Sequence, residues 1–177
     1  MSAAQWRARD VARKTALSQI QSAIVVYQGD KGARPHMEDD ASPKATEWMD
    51  VSEMSQKLLW AGMNSIPKDP LSTTTFKWIW NGTWAAWEYR YIVTKKNGTD
   101  NAWFVLMAKT EVEWWSNWVV CGDNGSWYIT SESDVTNLYL CSKVEKVAAG
   151  SGCKYSTKDD TNCQYTDDTQ LRYILTY

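Results

Sequence analysis

Four cysteines in the last third of the chain are the residues best suited to covalent chemistry. They are Cys121, Cys141, Cys153 and Cys163. None stands in a C-x-x-C pair, so their spacing indicates neither a zinc ribbon nor a thioredoxin-like motif. Four cysteines in a polar region rich in Ser and Thr favour two disulfides and an oxidising compartment. Of the three possible pairings, we expect Cys121–Cys141 and Cys153–Cys163, because each closes a short loop.

Histidine and paired carboxylates offer little for catalysis. The single histidine, His36, follows Pro35 in a polar segment, and no G-x-S-x-G turn occurs. A Ser or Cys nucleophile usually needs a histidine base, so nucleophilic catalysis is disfavoured. Glu111 and Glu113 share one face at strand spacing, as a glycosidase pair could, but one exposed face of a half-buried strand explains them more simply. The sequence predicts that the chain is not an enzyme.

Aspartates near the C-terminus are the candidates for a cation site. They are Asp159, Asp160, Asp167 and Asp168. Calcium takes six to eight oxygen ligands, which such side chains supply. Their spacing lacks the glycine and the terminal glutamate of an EF-hand, and aspartate is also favoured in turns for local reasons. We therefore predict no cofactor, with calcium at these four residues as the alternative.

Tryptophan is unusually frequent, at 12 of 177 residues, whereas phenylalanine occurs twice. Packing inside a core or a sheet is one explanation. The other is an aromatic platform for sugar rings, which makes a secreted carbohydrate-binding module our alternative prediction. The tryptophans that would form such a platform are Trp78, Trp80, Trp84, Trp87, Trp114, Trp115 and Trp118. Stacking needs two or three of these rings coplanar and exposed.

Length and charge bound the other possibilities. The 177 residues suit a single domain over 1–177 that can bury a useful core. With 19 basic and 21 acidic side chains, the formal charge of -2 gives no electrostatic reason to bind nucleic acid. No apolar run approaches the roughly 20 residues that cross a bilayer.

The first element that the sequence predicts is a helix over 1–28. One apolar stripe at helical spacing is formed by Leu17, Ile20, Ile24 and Tyr27, and Arg13 is predicted to lie on a solvent-exposed face. Gly29 and Gly32 are expected to end the helix, and Pro35 to prevent its resumption. Residues 5–10 offer little to bury, so this end should fray in isolation. We therefore expect an apolar helix half to precede it in the full-length protein.

Residues 33–75 are predicted to be a loop that contains a second helix. Ser42-Pro43 is typical of a helix start, and Gly62, Pro67 and Pro70 end the pattern. The inner side of this helix would carry Trp48, Val51, Met54, Leu58 and Leu59.

Residues 76–177 are predicted to form an antiparallel meander. Segments 84–95 and 103–113 read as paired strands around an Asn97-Gly98 turn. Further strands are expected at 118–121, 127–130, 138–143 and 171–177. Helices followed by strands indicate an α+β fold.

Several segments in order resemble the type IV pilin and pseudopilin family. The first segment comprises Ser2-Ala3-Ala4, 8–17, 20–23 and Tyr27. It is similar to the family's S-A-x-A-R-D-x-x-R-x-x-D-L-x-x-I-Q-x-A-L-x-x-Y stretch, with Ala16 where Asp is common. Segment 29–35 resembles N-G-x-Y-P, with Arg34 in place of Tyr. Ile66-Pro67-Lys68-Asp69-Pro70, after Leu58-Leu59, resembles the loop before the family's sheet, and 104–111 resembles its F-V-L-x-A-K-x-E strand. The resemblance covers residues 2–113.

The resemblance implies a long N-terminal helix packed on an antiparallel sheet, with a disulfide-closed C-terminal region. It implies a structural subunit of an extracellular filament or a secretion pseudopilus, whose partners are copies of itself or other pilin subunits. The subunit would be anchored in the inner membrane of a prokaryote through a preceding apolar helix before it reaches the cell surface. Such non-closing assembly gives helical polymers. The residues of the assembly helix would be Arg9, Arg13, Leu17, Ile20 and Ile24.

Overall fold

A long helix, α1, opens the fold. The computed structural model describes residues 2–35, 49–72, 89–96, 99–119, 140–154 and 162–177. Helix α1 spans Ala3–Lys31, and its first turn is closed by the Ser2 N–H, which donates to Gln5 Oε1 over 3.0 Å. Gly32 ends it with a left-handed φ of 68°. The predicted end at residue 28 is therefore wrong, because Gly29 remains helical and only Gly32 adopts the conformation that terminates a helix.

The segment after α1 is less helical than predicted. It contains strand β1 (Met49–Asp50), a 3-10 turn (Val51–Met54) and helix α2 (Ser55–Trp60). Asp50 starts this turn, because its Oδ1 accepts the Ser52 N–H over 2.8 Å. The predicted continuous helix is thus wrong at 49–50, and its predicted start at Ser42-Pro43 lies outside the described residues.

The inner side of this segment is largely as predicted. Val51, Met54 and Leu58 are buried, which confirms the periodicity used to place them. Leu59 is instead exposed, because on a helix of only six residues the face of Leu58 is the one that enters the core. Trp48 lies outside the described residues.

Helix α1 packs against an antiparallel sheet. Its further strands are β2 (Arg90–Lys96), β3 (Thr99–Lys109), β4 (Trp118–Val119) and β7 (Leu171–Thr176), and its order is β1-β2-β3-β7-β4. Strands β5 (Lys143–Lys146) and β6 (Asn162–Tyr165) form a separate parallel pair. The predicted α+β fold with a long helix and an antiparallel sheet is confirmed. The predicted meander is wrong after β3, because the last strand inserts between β3 and β4.

Individual strand predictions had mixed outcomes. The β2–β3 pair and the final strand match prediction, whereas the turn at Asn97-Gly98 and the strand at 127–130 lie outside the described residues. The strand expected at 138–143 instead begins at Lys143, and β1 and β6 were not predicted. Strand β3 ends at Lys109, so Glu111 and Glu113 do not share a strand face, and Glu113 opens a 3-10 turn (Glu113–Trp115).

Two apolar cores support these elements. In the larger, the α1 stripe packs on β2 and β3, with Leu17, Ile20 and Ile24 fully buried against residues such as Tyr91 and Phe104. A smaller core at the other edge of the sheet contains Val119, Val144, Cys163, Tyr165 and Leu171. Within the described part of the chain, no helix combines the length and the apolar character needed to span a membrane.

A disulfide joins Cys141 to Cys163, with 5.6 Å between the Cα atoms. Both predicted pairings are therefore wrong. The parallel strands explain why, since β5 places Val144 beside Cys163 and so brings Cys141, three residues earlier, next to the start of β6. Cys153 is also disulfide-bonded, and Cys121 lies outside the described residues.

Candidate functional site

Ionised side chains from three distant segments meet beside the N-terminal half of α1. We call them the ion cluster: Arg9, Asp10, Arg13, Asp69 and Glu111. The first three lie on the helix, Asp69 lies in the extended loop after α2, and Glu111 follows the end of β3. These are the segments with R-D-x-x-R, P-K-D-P and A-K-x-E character. The fold thus brings their charged residues to one place.

Arg13 is the centre of the ion cluster. Its Nε and Nη2 donate to the two carboxylate oxygens of Asp69 over 2.6 and 3.1 Å. Its Nη1 donates to Asp10 Oδ1 over 2.6 Å and to Glu111 Oε2 over 2.7 Å. The Arg13 side chain is fully buried, as is that of Asp10. Because a guanidinium offers five donors in a rigid fork, arginine can hold three carboxylates where lysine could not match the geometry.

Asp10 ties the helix to the backbone after β3. Its carboxylate accepts the Glu111 N–H over 3.0 and 3.1 Å and the Val112 N–H over 2.9 Å. These N–H groups lie beyond the last residue of the strand and need partners once they are covered by the helix. Asp10 therefore docks the helix and satisfies the strand end at once.

The outer rim of the ion cluster is partly exposed. Arg9 pairs with Glu111 through both carboxylate oxygens, Nε to Oε2 over 2.7 Å and Nη2 to Oε1 over 2.6 Å. On the opposite side, Asp69 Oδ1 also accepts the Leu71 N–H over 2.9 Å, which fixes the loop that presents it. The partly exposed Arg9–Glu111 pair therefore links the helix to the strand end, and the buried Asp69 links it to the loop after α2.

The environment of the ion cluster shifts its pKa values in different directions. Burial raises the pKa of Asp10, and hydrogen bonds from Arg13 and from the Glu111 N–H only partly offset it. Burial would also raise the pKa of Glu111, but hydrogen bonds from Arg9 and Arg13 outweigh it and hold that pKa below its usual value. Burial acts to lower the pKa of Arg13, and its three carboxylate partners more than reverse this.

Chemically, the ion cluster is suited to holding elements together. Its carboxylate oxygens already accept hydrogen bonds from guanidinium and backbone donors. Among the described residues, no group of three or more His, Cys, Asp or Glu side chains is placed to hold a metal ion. The prediction that residues 5–10 have little to bury holds for 5–8, which are exposed, and is wrong for Asp10, which is buried. The prediction that Arg13 faces solvent is also wrong. The i, i+3 spacing of Asp10 and Arg13, which places them on one helix face, was the signal in the sequence.

The residues predicted for the assembly helix all face this chain's own body. Arg9 and Arg13 belong to the ion cluster, and Leu17, Ile20 and Ile24 to the larger core. The opposite face of α1 is exposed in the described structure. It carries Val11, Thr15, Ser18, Gln19, Ser22 and Val26.

The acidic residues proposed for calcium are only partly described. Asp159 and Asp160 lie outside the described residues. Asp167 and Asp168 are exposed, and Asp168 Oδ1 accepts a 2.8 Å hydrogen bond from Lys146 Nζ. The structure therefore assigns Asp168 to an exposed ion pair.

Three of the seven platform tryptophans can be placed. Trp114 is 85% exposed, whereas Trp118 is 3% exposed. Lys14 Nζ lies 4.8 Å from the ring centroid of Trp115 and 4.1 Å from that of Tyr173, so a cation covers the Trp115 ring. These three side chains do not form an exposed aromatic platform. Trp78, Trp80, Trp84, Trp87 and His36 lie outside the described residues.

Comparison of the chain with models of protein families, with curated proteins and with solved structures found no match. The fold and the ion cluster define the class: an α+β protein whose long N-terminal helix packs on an antiparallel sheet and is tied by ion pairs to the loop after α2 and to the segment after β3.

Proposed function

We propose that this chain is a structural subunit, a pilin or pseudopilin, of an extracellular type IV pilus-like filament or secretion pseudopilus. One observation carries the proposal. Arg13, which comes from one charged segment that resembles the pilin family, is hydrogen-bonded to Asp69 and Glu111, which come from the other two. A resemblance by chance in three separate segments would give no reason for their charged residues to meet.

The division of α1 into two faces gives the proposal a mechanism. One face is held to the sheet by the ion cluster and by Leu17, Ile20 and Ile24. The other face, including Val11 and Val26, is exposed and accessible to neighbouring subunits. A rigid helix anchored on one side can transmit contacts along a filament without loosening its own domain. Assembly through α1 would therefore use the exposed face.

The test uses the full-length gene in its source cells, with an antibody raised against the purified chain. We expect immunogold label along thin surface filaments and the protein in the sheared surface fraction. Val26→Asp, on the exposed face of α1, should reduce filament incorporation while the melting temperature stays unchanged. Lys143→Gln, at a side chain 64% exposed on β5, is the matched control and should assemble normally.

Two results would contradict the proposal. One is a protein that stays in the cytosol with alkylatable thiols. The other is a secreted monomer that no filament incorporates and that binds immobilised polysaccharide, which would favour the carbohydrate-binding alternative.

A further inference from the structure

The smaller core is formed by the sheet edge together with a few residues of the segments near the C-terminus. We call residues 140–154 and 162–165 the C-terminal lobe. Of the five buried residues in this core, Val119 and Leu171 belong to the sheet, and Val144, Cys163 and Tyr165 belong to the lobe. The larger core, which joins α1 to the sheet, contains none of these five residues. The smaller core is thus shared by the lobe and the sheet edge, and it is distinct from the larger core between α1 and the sheet.

The secondary structure of the lobe is marginal by itself. It consists of the parallel pair β5 and β6, in register from Lys143–Asn162 to Lys146–Tyr165, and of one antiparallel bridge between Lys154 and Gln164. A two-stranded sheet is marginally stable in water, parallel pairing is slightly weaker than antiparallel pairing, and a single bridge at Lys154 adds only two backbone hydrogen bonds. On β5 only Val144 is buried, while Lys143, Glu145 and Lys146 face solvent. Backbone pairing and burial therefore leave the lobe in need of a further constraint.

Polar links dock the lobe on the sheet edge. The Cys141 N–H donates to the Asn117 carbonyl over 2.9 Å, and the Tyr165 hydroxyl donates to Glu113 Oε2 over 2.9 Å. Asn117 is itself fixed, since its side chain exchanges hydrogen bonds with the Ile174 backbone. The Lys146–Asp168 pair is exposed and contributes little. The links through Cys141 and Tyr165 hold the lobe in place only while its strands are formed.

The Cys141–Cys163 bridge lies at the point where these features meet. Cys163 is fully buried in the small core, and Cys141 packs against it from the edge while its N–H holds Asn117. The bridge closes a separation of 22 residues, which restricts the unfolded lobe substantially. The bridge also links two segments of the lobe, because Cys141 precedes β5 and Cys163 lies on β6.

We propose that the Cys141–Cys163 bridge is an oxidation checkpoint for the lobe. While it is oxidised, the lobe covers Val119 and Leu171 at the sheet edge. When a dithiol reductant supplies two electrons, the S–S bond breaks, each sulfur takes a proton, and the reductant becomes a disulfide. The lobe then unfolds and uncovers this edge, whereas α1 and the sheet remain folded. The covered edge therefore exists only in an oxidising compartment.

Hydrogen exchange with mass spectrometry on the whole chain tests this. In Cys141→Ala/Cys163→Ala, which opens only this bridge, amide exchange at 143–146 and 162–165 should accelerate by about 100-fold. Exchange at 16–24 and 104–108 should stay within error of the wild type. Wild type in dithiothreitol, which also opens the Cys153 disulfide, should exchange at least as fast at these residues, and trypsin should then cleave after Lys143 and Lys146. Glu145→Gln, at an exposed position on β5, is the control and should change neither region.

Either of two outcomes overturns the proposal. If lobe exchange is unchanged in the double variant, the Cys141–Cys163 bridge does not control the lobe, even where dithiothreitol, which also opens the Cys153 disulfide, accelerates exchange. If protection at 16–24 is lost together with that of the lobe, or the double variant fails to fold, the chain is one cooperative unit. Filament incorporation is not measured in either experiment, so the proposed function is tested separately.

Discussion

Arg13 Nε donates a 2.6 Å hydrogen bond to Asp69 Oδ2 across 56 residues of sequence, and both side chains are buried. This contact joins the helix to a loop that lies outside the sheet. With Asp10 and Glu111 it fixes the position of α1 where the apolar stripe has ended. The N-terminal half of the described helix is therefore held by charge, and its C-terminal half by apolar packing.

Arg13→Met should be strongly destabilising. It leaves buried carboxylates without their cation, and breaking one partner of a buried pair typically costs about 3–5 kcal/mol. Urea unfolding followed by circular dichroism measures the loss. Arg13→Lys keeps the positive charge but lacks the planar guanidinium group, so it should retain only part of the stability that Arg13→Met loses. A double-mutant cycle with Asp69→Asn should show strong coupling; additive losses would mean that the two residues act independently.

Glu111 should contribute stability that depends on pH. Its pKa is held below the usual value in the folded protein, so its stabilising effect is fully present above the ordinary carboxylate pKa of about 4.3 and is lost as pH falls through the folded value. Asp10 acts in the opposite sense, because burial raises its pKa. Glu111→Gln should therefore be less stable than wild type at pH 7 and lose less stability between pH 6 and pH 3.

The control for this experiment is Asp168→Asn, which removes an exposed carboxylate paired with Lys146. Exposed pairs contribute little, so its stability should follow the wild-type pH curve. If Asp168→Asn flattened the curve as much as Glu111→Gln, the pH dependence would reflect overall charge rather than the ion cluster.

Two glycines at the end of α1 should respond to alanine with opposite signs. Gly29 is helical, and no atom lies within 4 Å of the place that an alanine Cβ would take, so Gly29→Ala should stabilise the protein by about 0.5–1 kcal/mol. Gly32 has equal space but a φ of 68°, so Gly32→Ala should destabilise it by about 1 kcal/mol. Thermal unfolding of both variants gives the comparison. Equal effects would show that the helix does not end at Gly32.

Peptide mapping without reduction should recover Cys141 and Cys163 in one linked pair. Because Cys153 is also bonded and the chain has four cysteines, we expect its partner to be Cys121. Trypsin cleavage after Lys143 and Lys154 separates Cys141, Cys153 and Cys163 from one another. No Lys or Arg lies between Cys121 and Cys141, so a glutamate-specific protease that cleaves after Glu132 is also needed to tell the two linkages apart. A peptide that links Cys153 to Cys163 would contradict the structure and restore the short-loop pairing.

The sequence by itself determined the elements whose signal is local. The apolar stripe of Leu17, Ile20 and Ile24 placed the first helix on a core, and the residues from 90 to 109 specified a pair of adjacent strands. In the helix, the buried position of each residue follows from residues three or four positions away. In the strand pair, the partner is the next strand along the chain. Local periodicity carries that information because it is set by helix and strand geometry.

Only the tertiary structure decided which distant residues meet. Arg13 has polar neighbours in sequence, and its burial depends on Asp69 and Glu111 arriving from 56 and 98 residues away. The cysteine pairing was decided in the same way, since the parallel alignment of β5 and β6 brought Cys141 to Cys163 and overrode the shorter loops. Periodicity cannot encode such contacts, because charge complementarity and strand pairing between remote segments are satisfied only once the chain has folded.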